Sequence, residues 1–366
     1  MSLILGVVTL ENSDYPPFGK QTTYFEELSS AASITHVELR FFSPVNWQKT
    51  TNLCKGYSYK NKQWSFTVFE LPLIIYDRTF GSIPILSEFR NYLEEGKYKV
   101  LNPLNLSRLL SNKIKFQHFL LEHHIPTLEA FSLNELNDDF FQEEQASYYL
   151  KPVFGKGGAD IFVLEKNAKH FVLKLDADNS ISFKNCSLLF SYFKKHFKDK
   201  RYLIQAKAKL SYLNNRPFDI RVLVQNEGIN NYSVTGYGVR VGKENSFVSN
   251  LNAGGTVLPL EAMEDHYKQY HHKKLEEEMK NIFELCKQCC TYLHNSYGNF
   301  LEIAFDILLT LDRGPIILEA NSKPSRWLFN VLAEYYQDQE RSQVFQQQRK
   351  KAVSAPIVFV LANYPR

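Results

Sequence analysis

Two apolar runs, LEIAFDILL (301–309) and PIILEANSKPSR (315–326), carry acidic residues where buried strands are otherwise continuous. Strand side chains alternate with a period of two, so Glu319 and Asn321 project to one face and Ala320 to the other. Between the runs, Thr310-Leu311-Asp312-Arg313-Gly314 reads as a hairpin turn, which lays Asp306 beside Glu319 and Asn321. A buried carboxylate is costly unless it is paired or holds a metal. The oxygen set Asp306, Glu319 and Asn321 suits a hard cation such as Mg²⁺, which takes one or two carboxylates and fills its shell with phosphate oxygens. The tripeptide Glu-x-Asn alone can equally cap a helix or close a turn. Asp306 inside an apolar strand is what weighs toward metal.

A chain of 366 residues can bury the cores of two or three subdomains. Hydrophobic residues at 44% and charged residues at 22% describe an ordinary globular protein. The net charge of +4 comes without a Lys/Arg block, which favours small anionic ligands over nucleic acid. Five cysteines in this length make no disulfide framework, so a reducing, cytoplasmic setting is expected. The opening MSLILGVVTLENSDYPP lacks a basic leader and reads as a first strand, and no apolar stretch reaches membrane length.

Strand and helix patterns alternate over residues 1–105, where LILGVVTL, THVELRFF, SFTVFE and LPLIIYDR surround a helical piece at 21–30, predicting a small α/β domain. From Ser107, SRLLSNKIKFQHFLLEHH reads as one amphipathic helix, followed by strands and a helix at 187–197. Residues 106–205 and 206–341 are expected to form two further subdomains, the latter with a charged helix over 261–297, so the whole is α+β (α/β). Residues 342–366 read as a polar helix leading to PIVFVL, which packs back on the body.

The stretch YYLKPVFGKGGADIFVL places Lys151 at a strand end before the loop Gly155-Lys156-Gly157-Gly158. Glycines let backbone N–H groups approach phosphate oxygens, and the lysine adds a point charge. Glycine-rich hairpins also serve structure alone, and no G-K-[ST] opens a helix here. Lys113 is a second candidate cation, or a solvated helix lysine. Further on, Asp219, Arg221, Arg240 and Asn250 lie on or between strands. Arginine and asparagine converging on the metal site would stabilise developing oxyanion charge; the alternative is cross-strand ion pairing on a wet face.

The order Lys, Lys-Pro before a glycine loop, Q-A-K, D-x-R, Arg, S-N-x-x-x-G-G, Asp and E-x-N resembles the ATP-grasp superfamily over about residues 105 to 330. SNLNAGG and EANSKPS look similar to glutathione-synthetase-like and ribosomal-protein-modifying glutamate ligases. YDR near Tyr76, LKP near Lys151, the D-x-R-V-L-V-Q strand, SNLNAGG and EANSKP together resemble the YheC/YheD-like endospore coat-associated family. The resemblance implies an ATP-grasp fold with an N-terminal substrate-side domain, a lid and a C-terminal metal-bearing sheet. It implies that Lys113, Lys151 and the loop hold ATP phosphates, that Gln205, Ala206 and Lys207 meet adenine, and that Asp219 accepts the ribose hydroxyls. Asp306, Glu319 and Asn321 would bind Mg²⁺, while Arg240, Asn250 and Arg221 would face the reacting groups. In GKGGADI, Asp160 stands where the family pattern has its last glycine.

The implied chemistry is activation of a carboxylate by γ-phosphoryl transfer and attack by an amine, where positioning and charge neutralisation do most of the catalysis. Small-molecule carboxylate and amine substrates, or a peptide, are the expected partners. The alternative is a spore-coat scaffold that keeps the nucleotide fold without turnover; coat proteins as partners, a spore location and self-association stay open. Asp77 and Arg78 either grip a charged substrate or form a local salt bridge. Cys286, Cys289 and Cys290 read as a half-buried helix face and His266, His271 and His272 as a polar cluster, neither with metal spacing.

Overall fold

The computed structural model describes residues 3–365 apart from 13–14, 16, 82, 144, 156–157, 159, 169, 177, 198–200, 210–211, 214–215, 245–248, 250–253 and 272–273. The architecture is α+β, with three six-stranded sheets among the described residues. The first contains β1 (Leu3–Val8), β2 (Val37–Gln48), β3 (Leu53–Lys60), β4 (Gln63–Glu70), β5 (Ile74–Asp77) and β6 (Lys99–Val100), ordered β4-β3-β2-β1-β5-β6. β1 pairs in parallel with β2 on one side and β5 on the other. The strand order therefore switches at β1, and in open parallel sheets the carboxyl ends of the strands at such a switch are where ligands bind. Helices α1 (Thr22–Ser33) and α2 (Pro84–Glu95) pack against this sheet.

Helices α3 (Leu104–Ser111) and α4 (Lys113–Glu122) lead to the second sheet, an antiparallel lid. It comprises β7 (Ala130–Ser132), β8 (Gln145–Pro152), β9 (Phe162–Asn167), β10 (His170–Lys174), β11 (Ser180–Phe183) and β12 (Tyr202–Ala206), in the order β11-β10-β9-β8-β12-β7. Its aromatic core lies under α5 (Cys186–His196). The single helix expected from Ser107 is in fact two. Asn112 takes an extended conformation, and its side chain accepts from Lys115 N at 3.1 Å, so an N-cap interrupts the run. That break makes Lys113 the first residue of α4, at the mouth of the cleft.

The third sheet contains β13 (Tyr212–Leu213), β14 (Arg216–Asn226), β15 (Tyr232–Val241), β16 (Thr256–Leu258), β17 (Glu302–Thr310) and β18 (Gly314–Asn321). Its order is β16-β15-β14-β17-β18, with β13 on β14. The charged helix expected over 261–297 is divided into a 3₁₀ turn (Leu260–Met263), α6 (Glu264–His271) and α7 (Leu275–Tyr297), because Lys274 is extended and starts a new helix. α7 covers the face of β17 bearing Ile303, Phe305 and Ile307, and Cys286, Cys289 and Cys290 are fully buried there rather than half-exposed.

α8 (Trp327–Tyr335) and α9 (Gln339–Asn363) cover part of the opposite face. A Cβ at Gly236 of β15 would stand 2.2 Å from the Phe329 ring, so glycine there lets α8 approach the sheet. α9 continues through Pro356 and inserts Val353, Ile357, Phe359 and Val360 into the core of the first sheet, tying the two ends of the chain together. Among the described residues no helix is long and apolar enough to cross a membrane.

Candidate active site

The β17–β18 hairpin pairs Asp306 with Glu319 and Ala304 with Asn321, and a bulge follows Asp306. Alternation then places Glu319 and Asn321 on one face with Asp306 alongside. On its other flank, β17 pairs Asp306 with Arg221 of β14, and β14 pairs Asp219 with Arg240 of β15. Four strands thus contribute to one charged row.

Asp306 is fully buried and anchors the row. Both its oxygens accept from Arg221, Nε to Oδ1 and Nη2 to Oδ2, the latter at 3.0 Å, and Arg240 Nη2 lies 2.8 Å from Oδ2. Burial works to raise its pKa, but the two guanidiniums outweigh it and hold the carboxyl below its ordinary value. Glu319 goes the other way. Burial and then the charge of Asp306 push it up, against the pull of Lys113 and Lys151. Two carboxyl groups within hydrogen-bonding reach of each other are a like-charge contact, which a cation relieves.

Asp219 sits in this row, with Arg240 Nε donating to Oδ1 at 2.7 Å and Ser249 donating to Oδ2. Burial raises its pKa, Arg240 lowers it and Asp306 raises it. Arg240 is itself buried, yet Asp219 and Asp306 outweigh burial and move its pKa upward.

Facing this row are the two lysines. Lys113 Nζ donates to the Gly155 carbonyl at 2.9 Å and lies 4.0 Å from Glu319 Oε2. Burial lowers its pKa, with Glu319 and Asp306 partly restoring it. Lys151, buried on β8, donates to Gln205 Oε1 at 2.8 Å, and Gln205 Nε2 donates in turn to the Leu128 carbonyl at 3.0 Å. Burial pushes the Lys151 ammonium down to about 8, opposed by Glu319 and reinforced by Lys113. The Gln205 side chain is therefore turned inward, holding Lys151, while Ala206 and Lys207 emerge at the end of β12. A cavity of about 930 Å³ beside them is lined by Tyr148, Glu165, Ala206 and Lys207. None of Lys113, Lys151, Asp306 or Glu319 lines it, so that cavity is not the charged cleft.

In the loop, Gly158 and Asp160 have φ of 71° and 57°. Asp160 thus occupies a left-handed position that glycine prefers. Lys156, Gly157 and Asn250 lie outside the described residues, as do His272 and the side chains of His266 and His271. Among the described residues no three His, Cys, Asp or Glu side chains gather as a cation site, so the candidate ligand set remains two carboxylates and one amide.

Sequence reasoning missed a second charged cluster. Glu302, four residues before Asp306 on the same face of β17, accepts from Tyr76 at 2.7 Å, from Gln225 at 2.8 Å and from Arg326 twice. Asp77 meets Arg90 and Lys323, each at 2.8 Å, which hold its carboxyl at about 2 despite burial. Lys323 and Arg326 stand in the same EANSKPSR segment as Glu319 and Asn321, and this continuation was the available signal.

Residues 97–352 match the family described as YheC/D like ATP-grasp. The chain belongs to that family. It is 26% identical over 315 residues to endospore coat-associated protein YheC of Bacillus subtilis (strain 168), covering 84% of this chain and 86% of that one. It is also 26% identical over 301 residues to endospore coat-associated protein YheD of the same strain, covering 78% of this chain but 64% of YheD. Among solved structures it resembles D-alanyl-alanine synthetase A from Vibrio cholerae (TM-score 0.52, 12% identity, 97% of this chain and 100% of that). D-cycloserine synthetase DcsG is comparable (TM-score 0.51, 12% identity, 96% and 99%). At such identity these likenesses establish the ATP-grasp fold of this YheC/D-like protein.

Proposed function

We propose that this YheC/D-like protein is an Mg-ATP-dependent ligase that activates a carboxylate as an acyl phosphate for attack by an amine. The observation that carries the reading is the opposition of Lys113 and Lys151 to the Asp306–Glu319 pair across the cleft between lid and C-terminal sheet. Buried ammonium groups with neutral acceptors suit phosphate, and two touching carboxylates suit a divalent cation, so the residues fit the nucleotide and the metal. Lys113, Lys151 and the glycine loop would hold the phosphates; Asp306, Glu319 and Asn321 would hold the cation. When bound, Mg-ATP supplies the phosphoryl group that makes the carboxylate reactive. Arg221 and Arg240, already aimed at Asp306, border the place where negative charge develops and stabilise it. In this division of labour residues 1–105 form the substrate side, 106–205 the lid, 206–341 the metal-bearing sheet and 342–366 the closing helix and tail.

Calorimetric titration with Mg-ATP, followed by ADP release screened against amino acids, peptides and cell-wall precursors, tests the proposal. Absence of binding at millimolar nucleotide overturns it. Binding without ADP release for any pair supports the second reading, a nucleotide-holding scaffold, which Asp160 at a glycine-preferring loop position favours. The names of the relatives support association with the spore coat, which recovery of the protein in a spore-coat fraction would test.

A further inference from the structure

Arg78 closes the carboxyl end of β5 and is 4% exposed. Its guanidinium lies over the rings of Tyr24, Tyr76 and Phe80 at 5.2, 5.6 and 5.5 Å. Its Nε and Nη1 are buried with no hydrogen-bond acceptor. Among the described residues the carboxylate within ion-pair reach is Glu302, whose Oε1 is 3.7 Å from Nη1. Glu302 cannot serve as an acceptor for Arg78. A carboxylate offers about four lone-pair sites, and Tyr76, Gln225 and Arg326 already supply four donors. One buried carboxylate therefore faces two buried guanidiniums, and Arg78 keeps two donors unmatched. Leaving buried donors unmade is expensive, so such a group marks a place built for an incoming acceptor.

A second, independent observation points to the same spot. β1 has β2 on one side and β5 on the other, and ligands of open parallel sheets bind at the carboxyl ends of the strands where the order switches. Arg78 follows β5 there, Thr9 follows β1, and Gln21 Nε2 joins them by donating to Thr9 Oγ1 at 2.8 Å and to the Arg78 carbonyl at 3.3 Å. Lys323, two residues beyond Asn321, borders the same strand ends, donating to the Thr79 carbonyl at 3.0 Å and pairing with Asp77 at 2.8 Å.

We propose that these strand ends form a subsite for a carboxylate of the substrate, held by Arg78 and remote from the carboxylate that reacts. Assigning the bound group to the substrate rests on the ligase reading; the anion site itself does not. Glu302 and Asp306 are four residues apart on one strand face, about 13 Å. The anchored and the activated groups are therefore different, and the substrate is an elongated molecule of roughly tripeptide length carrying an acidic end.

The test uses sodium succinate as probe against sodium chloride at matched ionic strength, read as melting temperature, on the wild type and on Arg78→Met. Succinate should raise the wild-type Tm by about 2 °C or more over chloride, through binding to the folded state alone, and leave Arg78→Met unmoved. No succinate-specific rise in the wild type overturns the proposal, whether or not the variant folds. An equal rise in both proteins overturns it as well. A parallel arm with Mg-ATP separates the two readings: Arg78→Met should keep the full Mg-ATP shift. A succinate shift without any Mg-ATP shift would sink the ligase while leaving the anion site standing.

Discussion

Glu302 and Asp306 stand on one face of one strand, both fully buried and each facing two arginines, yet their surroundings differ in sign. At Asp306 the like-charge contact is between carboxylates, since Glu319 lies beside it and Asp219 shares Arg240. At Glu302 the like-charge contact is between guanidiniums, Arg326 and Arg78, with no further carboxylate on either among the described residues. By charge, the first arrangement suits a cation and the second an anion. One strand thus presents two complementary demands, as a molecule that joins a metal-bound phosphate to a charged substrate requires.

The comparison breaks most visibly at Glu302. Glu302→Gln leaves two buried guanidiniums without a counter-charge, which should cost about 3–5 kcal/mol in a urea titration. Asp306→Asn should cost less, because Asp219 and Glu319 remain to balance Arg240 and Arg221. Equal losses would show that the two clusters are ordinary structural ion pairs of one kind.

Lys151 sharpens the cation-facing side. Its ammonium is depressed from 10.5 to about 8, so between those values the unfolded chain holds a proton that the folded protein has released. Stability should therefore rise with pH across that window, by about 3 kcal/mol if the whole displacement counts. In Lys151→Met that rise should vanish, the variant should be the more stable protein near pH 7, and Mg-ATP should bind more weakly. A wild-type pH profile matching that of the variant would mean that Lys151 bears no uncompensated charge.

Much of the C-terminal sheet could be read in advance, because alternation and turn chemistry are local, but the register of the Thr310–Gly314 turn alone would set Asp306 opposite Leu318, and the bulge after Asp306 is what brings it opposite Glu319. Lys113 could be picked out as a candidate near a helix start, but not the Asn112 cap that makes it the first residue of its own helix. The Glu302 cluster was beyond such reading. Its partners come from 24, 77 and 226 positions away, and no periodicity links them. At Gln205 the position on the strand is local, but the direction of the side chain is set by Lys151 on the neighbouring strand.

A smaller effect is expected at Glu319. Its carboxyl is raised above 4.5, so its contribution to stability is complete below that value and is lost as pH climbs through the folded value. Glu319→Gln should abolish this fall, and the variant should gain on the wild type as pH rises above 4.5. Mg-dependent ATP affinity should drop about tenfold, roughly 1.4 kcal/mol, while metal-free binding changes little. A destabilised variant with intact Mg-dependent affinity would leave Glu319 as a strand-end cap.

The smallest effect separates a working loop from a retired one. Asp160 holds φ at 57°, a conformation that costs an L-residue something and glycine nothing. Aspartate is among the residues that tolerate it best, so Asp160→Gly should change stability by no more than about 1 kcal/mol. The charge matters more for ligand than for fold. Burial and then the Asp160 carboxylate push the Tyr202 hydroxyl up to about 12, so the charge is felt at the base of the lid. If the loop closes over phosphates, removing that charge should tighten Mg-ATP binding by roughly threefold, under 1 kcal/mol, and the gain should shrink as salt is added. If affinity is unchanged at low salt, Asp160 faces away from the nucleotide, its departure from the glycine pattern is neutral, and the case for a scaffold without turnover loses its one structural support.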